Sequence, residues 1–151
     1  MRIYLCCIML VLFANVEAQT KTVYDSALAK KFGADDYGMK QYVMVFLKAG
    51  PVKVTDSAQR NQLLQGHLQN IMRLAKEGKL LVAGPFLDKT DIAGIFIFDV
   101  RTIDEARTVV NTDPAVRAGM FDVELHPWYA SAALMQVGSV HEKLQKKSFT
   151  H

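Results

Sequence analysis

Cysteine is nearly absent from this chain. Its 151 residues contain two, Cys6 and Cys7, adjacent and close to the N-terminus. Neighbouring cysteines at one end cannot staple a small fold, and they lack the spaced pairs of a zinc site. Charge of one sign is also scarce. Lys and Arg total 18 and Asp and Glu 15, a net charge of +3. Arg2 and Glu17 cancel, as do Lys21, Lys30 and Lys31 against Asp25, Asp35 and Asp36. Residues 136–151 carry Lys143, Lys146 and Lys147 against Glu142, so most of the surplus lies in the last segment. A nearly neutral body with a basic end gives no electrostatic case for a nucleic-acid partner. Motifs for bound phosphate, a nucleophilic serine or a metal are missing too: there is no phosphate loop, no dinucleotide fingerprint, no G-x-S-x-G elbow and no metal motif. Half the residues are nevertheless hydrophobic and 22% are charged, the composition of a globular protein of one domain.

The first eighteen residues differ from the rest. Arg2 is a short positive region, Ile3 to Ala14 is uncharged and apolar, and Val16-Glu17-Ala18 ends in a small residue. That order predicts a secretory signal peptide, residues 1–18, cut after Ala18. A run of about 20 apolar residues is needed to span a bilayer, so no stable membrane anchor is expected after cleavage. The remaining chain would be secreted or periplasmic and free of cysteine, which excludes thiol chemistry.

Residues 19–39 read as an N-terminal arm with a short helix over Ser26 to Phe32. Gln41 to Lys48 is a β-prone run closed by Gly50-Pro51. A long helix follows, capped at Thr55, Asp56 or Ser57 and stopped at Gly78, with Leu64, Leu68, Ile71 and Ala75 as an apolar stripe. Gly66 within it costs about 1 kcal/mol relative to Ala. Leu80 to Pro85 and Ile92 to Val100 read as two strands joined by a polar turn. Thr102 and Glu105 form a capping box for a helix that presents Ala106, Val109 and Val110 to the core. Asp113-Pro114 opens a short turn or helix, and Phe121 to Tyr129 is the last strand. The order is βαββαβ over residues 40–130, an α+β, ferredoxin-like fold with a four-stranded antiparallel sheet. Residues 131–151, without clear period and rich in lysine, read as a C-terminal tail.

Both sides of the sheet are greasy. Tyr42, Met44 and Phe46 fall on one side of the first strand, Val43, Val45 and Leu47 on the other. Two helices cover one face. The other needs a second cover, which predicts a homodimer with facing sheets and a small-molecule cavity between them.

Two residues are placed for chemistry. His67 lies at the edge of the helix stripe, with Leu63, Leu64 and Ile71 at helical spacing. Asp113 follows the second helix, and in this topology a turn there approaches the first. A carboxylate on one imidazole nitrogen leaves the other as a general base. Each residue also has a plainer reading, His67 as a structural helix histidine and Asp113 as a cap.

The stretch His67 to Pro85, HLQNIMRLAKEGKLLVAGP, resembles the helix-to-strand signature of the YCII-related (YciI-like) family, and Thr112 to Trp128, TDPAVRAGMFDVELHPW, resembles its second signature. The resemblance spans about residues 40–130. It implies a dimeric α+β barrel, no cofactor, and a His–Asp active-site pair that falls on His67 and Asp113. It also implies proton transfer on small, often aromatic or hydroxylated substrates, of lyase or isomerase type. A non-catalytic binding or assembly module is the alternative use of the same scaffold. Tyr42, Phe46, Pro85, His126 and Trp128 are the expected ligand contacts, with His126 joining His67 if it faces the cavity. No metal is expected. Arg60 and Arg73 read as solvated helix positions.

Overall fold

The computed structural model describes residues 23–88 and 90–147. The proposed signal peptide lies outside them. A short arm helix α1 (Ser26–Phe32) precedes strand β1 (Met39–Ala49), helix α2 (Ser57–Lys76), strands β2 (Leu80–Pro85) and β3 (Ile92–Phe98), helix α3 (Ile103–Val110), a one-turn helix α4 (Pro114–Arg117), strand β4 (Phe121–Ser131), and helix α5 (Val137–Leu144). The four strands form one antiparallel sheet in the order β2-β3-β1-β4, the ferredoxin-like arrangement. Pro127 falls on β4, an outer strand, where a missing N–H disturbs the ladder least.

Local signals set the boundaries. Asp56 caps α2 by accepting from the Gln59 amide, and Gly78, in the left-handed region at φ 71°, lets the chain leave it. Thr102 and Glu105 form the complete capping box of α3. Pro114 occupies the first turn of α4 with Asp113 as its cap.

The main core lies between the helices and one face of the sheet. Val43, Val45 and Leu47 of β1 meet Phe96 and Phe98 of β3, Leu80 of β2, Leu74 of α2 and Ala106 and Val110 of α3. Each large side chain buried there contributes about 1.5–3 kcal/mol. The buried line of α2 differs from the expected stripe. Leu68 and Ala75 are exposed, whereas Asn70 and Leu74 are buried and Leu63 and His67 half-buried. The helix is rotated toward His67 and Asn70 because both polar side chains find partners on the neighbouring turn, which removes the cost of burying them.

The opposite face carries a second, smaller cluster. Tyr42, Ile97 and Ala130 are buried, with Met44, Leu81, Val82 and Trp128 around them and Leu134 and Met135 laid across them. The segment after β4 is therefore more than a loose tail. It makes a 3-10 turn (Ala132–Gln136) and then α5, and Ala132 is buried. The Ala132 amide donates to Gly38 O, and the Tyr129 hydroxyl donates to Asp35. Lys40 bonds Asp99 at 2.7 Å and lies 3.3 Å from the Met135 sulfur. Arm and C-terminal segment thus clasp each other over one end of the second face. Part of the cover expected from a second sheet comes from the chain itself.

Candidate active site

Helix α2 and the turn between α3 and α4 run against each other in opposite directions. The contacts ascend one chain while descending the other. Gly66 faces Pro114: a Cβ on Gly66 would stand 2.6 Å from Pro114 Cγ. The glycine that weakens the isolated helix is what allows the turn to come this close. One residue further on, His67 Nδ1 lies 2.6 Å from Asp113 Oδ2.

Asp113 is fully buried and the His67 side chain 13% exposed. The other carboxylate oxygen, Oδ1, accepts from the Ala115 amide at 2.9 Å. Asp113 is therefore held at both oxygens, one by the helix it caps and one by the imidazole. A carboxylate only accepts, so Nδ1 is the donor and Nε2 carries the lone pair. Nε2 has no hydrogen bond to any described residue. Among those residues no buried side-chain nitrogen or oxygen lacks a partner, so Nε2 is not sealed in. The ring lies between Phe96 (centroids 5.8 Å apart, 29° between planes) and Phe121 (5.1 Å, 51°). The arrangement is a base with a fixed tautomer in an aromatic, partly dry setting. It can take a proton at Nε2 while Asp113 stabilises the imidazolium that results.

The other sequence candidates stand elsewhere. Pairing puts Tyr42 opposite Trp128, Met44 opposite His126 and Phe46 opposite Glu124, all projecting from the second face. His67 packs on Phe96 and Phe121, on the helix-covered face. The structure does not bring His67 and His126 together, because the sheet itself separates them. Tyr42 is fully buried, and its hydroxyl donates to Ser131 O at 3.1 Å. Trp128 tilts against Tyr42 with centroids 6.3 Å apart. Phe46 meets the His126 ring edge-on at 5.5 Å. Pro85 is exposed at the end of β2, opposite Gly94. Among the described residues no three His, Asp or Glu side chains converge to hold a metal ion.

His126 belongs to a different group. Its Nε2 is 2.9 Å from Glu124 Oε1, and Lys48 binds the other oxygen of Glu124. Lys48, followed by His126, holds the Glu124 carboxyl below its usual range. This cluster is about half exposed.

Two residues beside the buried pair, Asn70 and Thr112, escaped the sequence reading, and Arg73, expected as a solvated helix position, is half-exposed but tied to both. Asn70, Arg73 and Thr112 form a hydrogen-bonded group one helical turn from His67. The spacing of Asn70 and Arg73 at three and six residues after His67 was visible, but their partner is distant in sequence.

The model of the YCII-related domain matches residues 41–129. An uncharacterised protein of Bacillus subtilis (strain 168), YjpA, is 30% identical over 63 residues, covering 42% of this chain and 72% of that protein. Among solved structures, the 5-chloro-2-hydroxyhydroquinone dehydrochlorinase of Burkholderia phenoliruptrix AC1100, in complex with 2,5-dihydroxybenzoquinone, matches with 24% identity and a TM-score of 0.44. That match covers 58% of this chain and 92% of the other.

Proposed function

The chain belongs to the YCII-related domain family, and from that premise and the geometry around His67 we propose an enzyme that moves a proton on a small, hydroxylated or aromatic substrate. The reaction is of lyase or isomerase type and uses side chains alone. His67 Nε2 takes the proton from carbon or hydroxyl, and Asp113 orients the ring and stabilises its charged form. The observation that carries this reading is the 2.6 Å contact between a half-buried imidazole and a fully buried carboxylate already held at its other oxygen. Phe121, half-buried beside the ring, favours a flat, apolar substrate over a highly charged one.

The test follows proton transfer directly. The protein is incubated in D2O with a panel of hydroxylated aromatic and hydroxy-acid compounds, and loss of C–H signals is read by NMR. We expect exchange with at least one class, and a fall of about a hundredfold or more in His67→Ala. Undiminished exchange in that variant overturns the assignment. Binding without exchange across the panel replaces it with the binding-module reading.

Two further parts belong to this proposal. On the second face Met44, Phe46 and Ile95 are half-buried in the single chain, beside the charged group of Lys48, Glu124 and His126, and this apolar strip supports docking of a second copy. Light scattering that finds a monomer at working concentration contradicts it. Residues 1–18 support export, and a mature N-terminus at Gln19 in intact-mass measurement is the expected result.

A further inference from the structure

We propose that Asn70, Arg73 and Thr112 are positioning residues that hold Asp113 in register with His67. The inference rests on the catalytic reading of that pair and adds residues that it does not contain. Arg73 Nη2 donates to Asn70 Oδ1 at 2.8 Å and to Thr112 Oγ1 at 2.9 Å. The Thr112 hydroxyl lies 3.0 Å from Asn70 Oδ1 and 2.7 Å from Val109 O. Its single proton serves one of these acceptors at a time. Thr112 thus ties the last turn of α3 to the flank of α2. Arg73 is itself braced by Glu77, 2.6 Å from Nη1, and Glu77 also reaches Lys79 at 3.0 Å.

The placement gives this group its consequence. Thr112 and Asp113 are consecutive, with Cα atoms about 3.8 Å apart, so a shift of one is passed to the other. On the far side, Gly66 and Pro114 limit movement by direct contact. Asp113 is pinned between a steric stop and a hydrogen-bonded tie. Asn70 is buried and takes its partners from a charged, half-exposed arginine and the neighbouring turn. A reacting pair gains from such a tie, because a misplacement of about 1 Å can cost about a hundredfold in rate.

The experiment reads the pair without a substrate. In the full chain labelled with 15N-histidine, the Nδ1 proton of His67, donated across 2.6 Å to a carboxylate, should appear far downfield and exchange slowly with water. His67→Ala assigns it. In Thr112→Val and Arg73→Met we expect exchange at least about tenfold faster, with the backbone amide spectrum otherwise retained. Thr112→Ser should restore the wild-type rate. Arg73 is half-exposed, so Arg73→Met provides the measurement if Thr112→Val fails to fold. Unchanged exchange in Thr112→Val and Arg73→Met, or in Arg73→Met alone if Thr112→Val does not fold, overturns the positioning role and leaves the catalytic pair standing. A wild-type protein without a protected Nδ1 proton overturns the pair and the positioning role together.

Discussion

The two faces of the sheet each carry a histidine beside a carboxylate, and the two pairs share little beyond composition. On the helix-covered face, His67 meets a carboxylate with no exposure, which the cap of α4 also holds. On the other, His126 and Glu124 are 47% and 45% exposed, and Lys48 shares the carboxylate. Water and salt screen the second pair, and the lysine supplies a cation whether or not the imidazole is charged. In the first, Asp113 has, among the described residues, only the imidazole and one backbone amide as partners, so proton movement on the ring is felt by the carboxylate without dilution. Burial and the number of competing partners, more than the residue types, decide which pair can do chemistry.

The sharpest way to break this comparison is to remove both carboxylates. Asp113→Ala loses a cap and a charge-assisted hydrogen bond in one change, and should cost about 2–4 kcal/mol in urea unfolding. Glu124→Ala, on the exposed face, should leave the unfolding midpoint unchanged. Equal effects would mean that the two pairs are energetically alike. A smaller effect tests the approach of the turn to α2. Gly66→Ala gains helix propensity but drives a Cβ into Pro114, and we expect a net loss of about 1–3 kcal/mol with disturbed His67 resonances. A stabilised variant with unchanged resonances would show that the turn tolerates the shift.

The smallest effect concerns the contact between the arm and the end of β4. The Tyr129 hydroxyl, followed by the Met39 amide, holds the Asp35 carboxyl below its ordinary 3.8, and Asp35 in turn raises the Tyr129 hydroxyl above 10.0. A lowered carboxyl stabilises the folded form above its ordinary value, and that contribution is lost as pH falls through the lower one. A raised phenol contributes below 10.0, and its part is lost as pH rises through the higher value. The arm should therefore hold between about pH 4 and pH 10 and loosen outside that window. Hydrogen exchange over residues 24–39 measures this, and Tyr129→Phe should weaken the dependence at both ends. A flat pH response in the wild type would detach the arm from this contact.

Much of the fold was legible along the chain because its signals are local. The bounds of α1 and β2, the capping box of α3 and the proline start of α4 depend on residues within a few positions of each other. Alternation in β1 correctly indicated two apolar faces. His67 and Asp113 were nameable as candidates from a helix edge, a turn and two family-like stretches. The expected stripe through Leu68 and Ala75 missed the true buried line because periodicity counts apolar residues and cannot credit a polar one that finds a partner. The tail was unreadable for a related reason. Leu134 and Met135 have no period of their own and become half-buried only against the cluster of Tyr42, Ile97 and Ala130.

By itself, the amino-acid sequence determined the order of elements, their caps and breaks, and the need to cover both faces of the sheet, since these follow from backbone geometry and side-chain spacing. Only the tertiary structure decided which segments of the chain lie on each face, which histidine meets a buried carboxylate, and why Gly66, Asn70, Arg73 and Thr112 stand where they do. Those outcomes depend on contacts between segments some forty residues apart, such as the 46 between His67 and Asp113. Packing sets such distances, and no local signal encodes them.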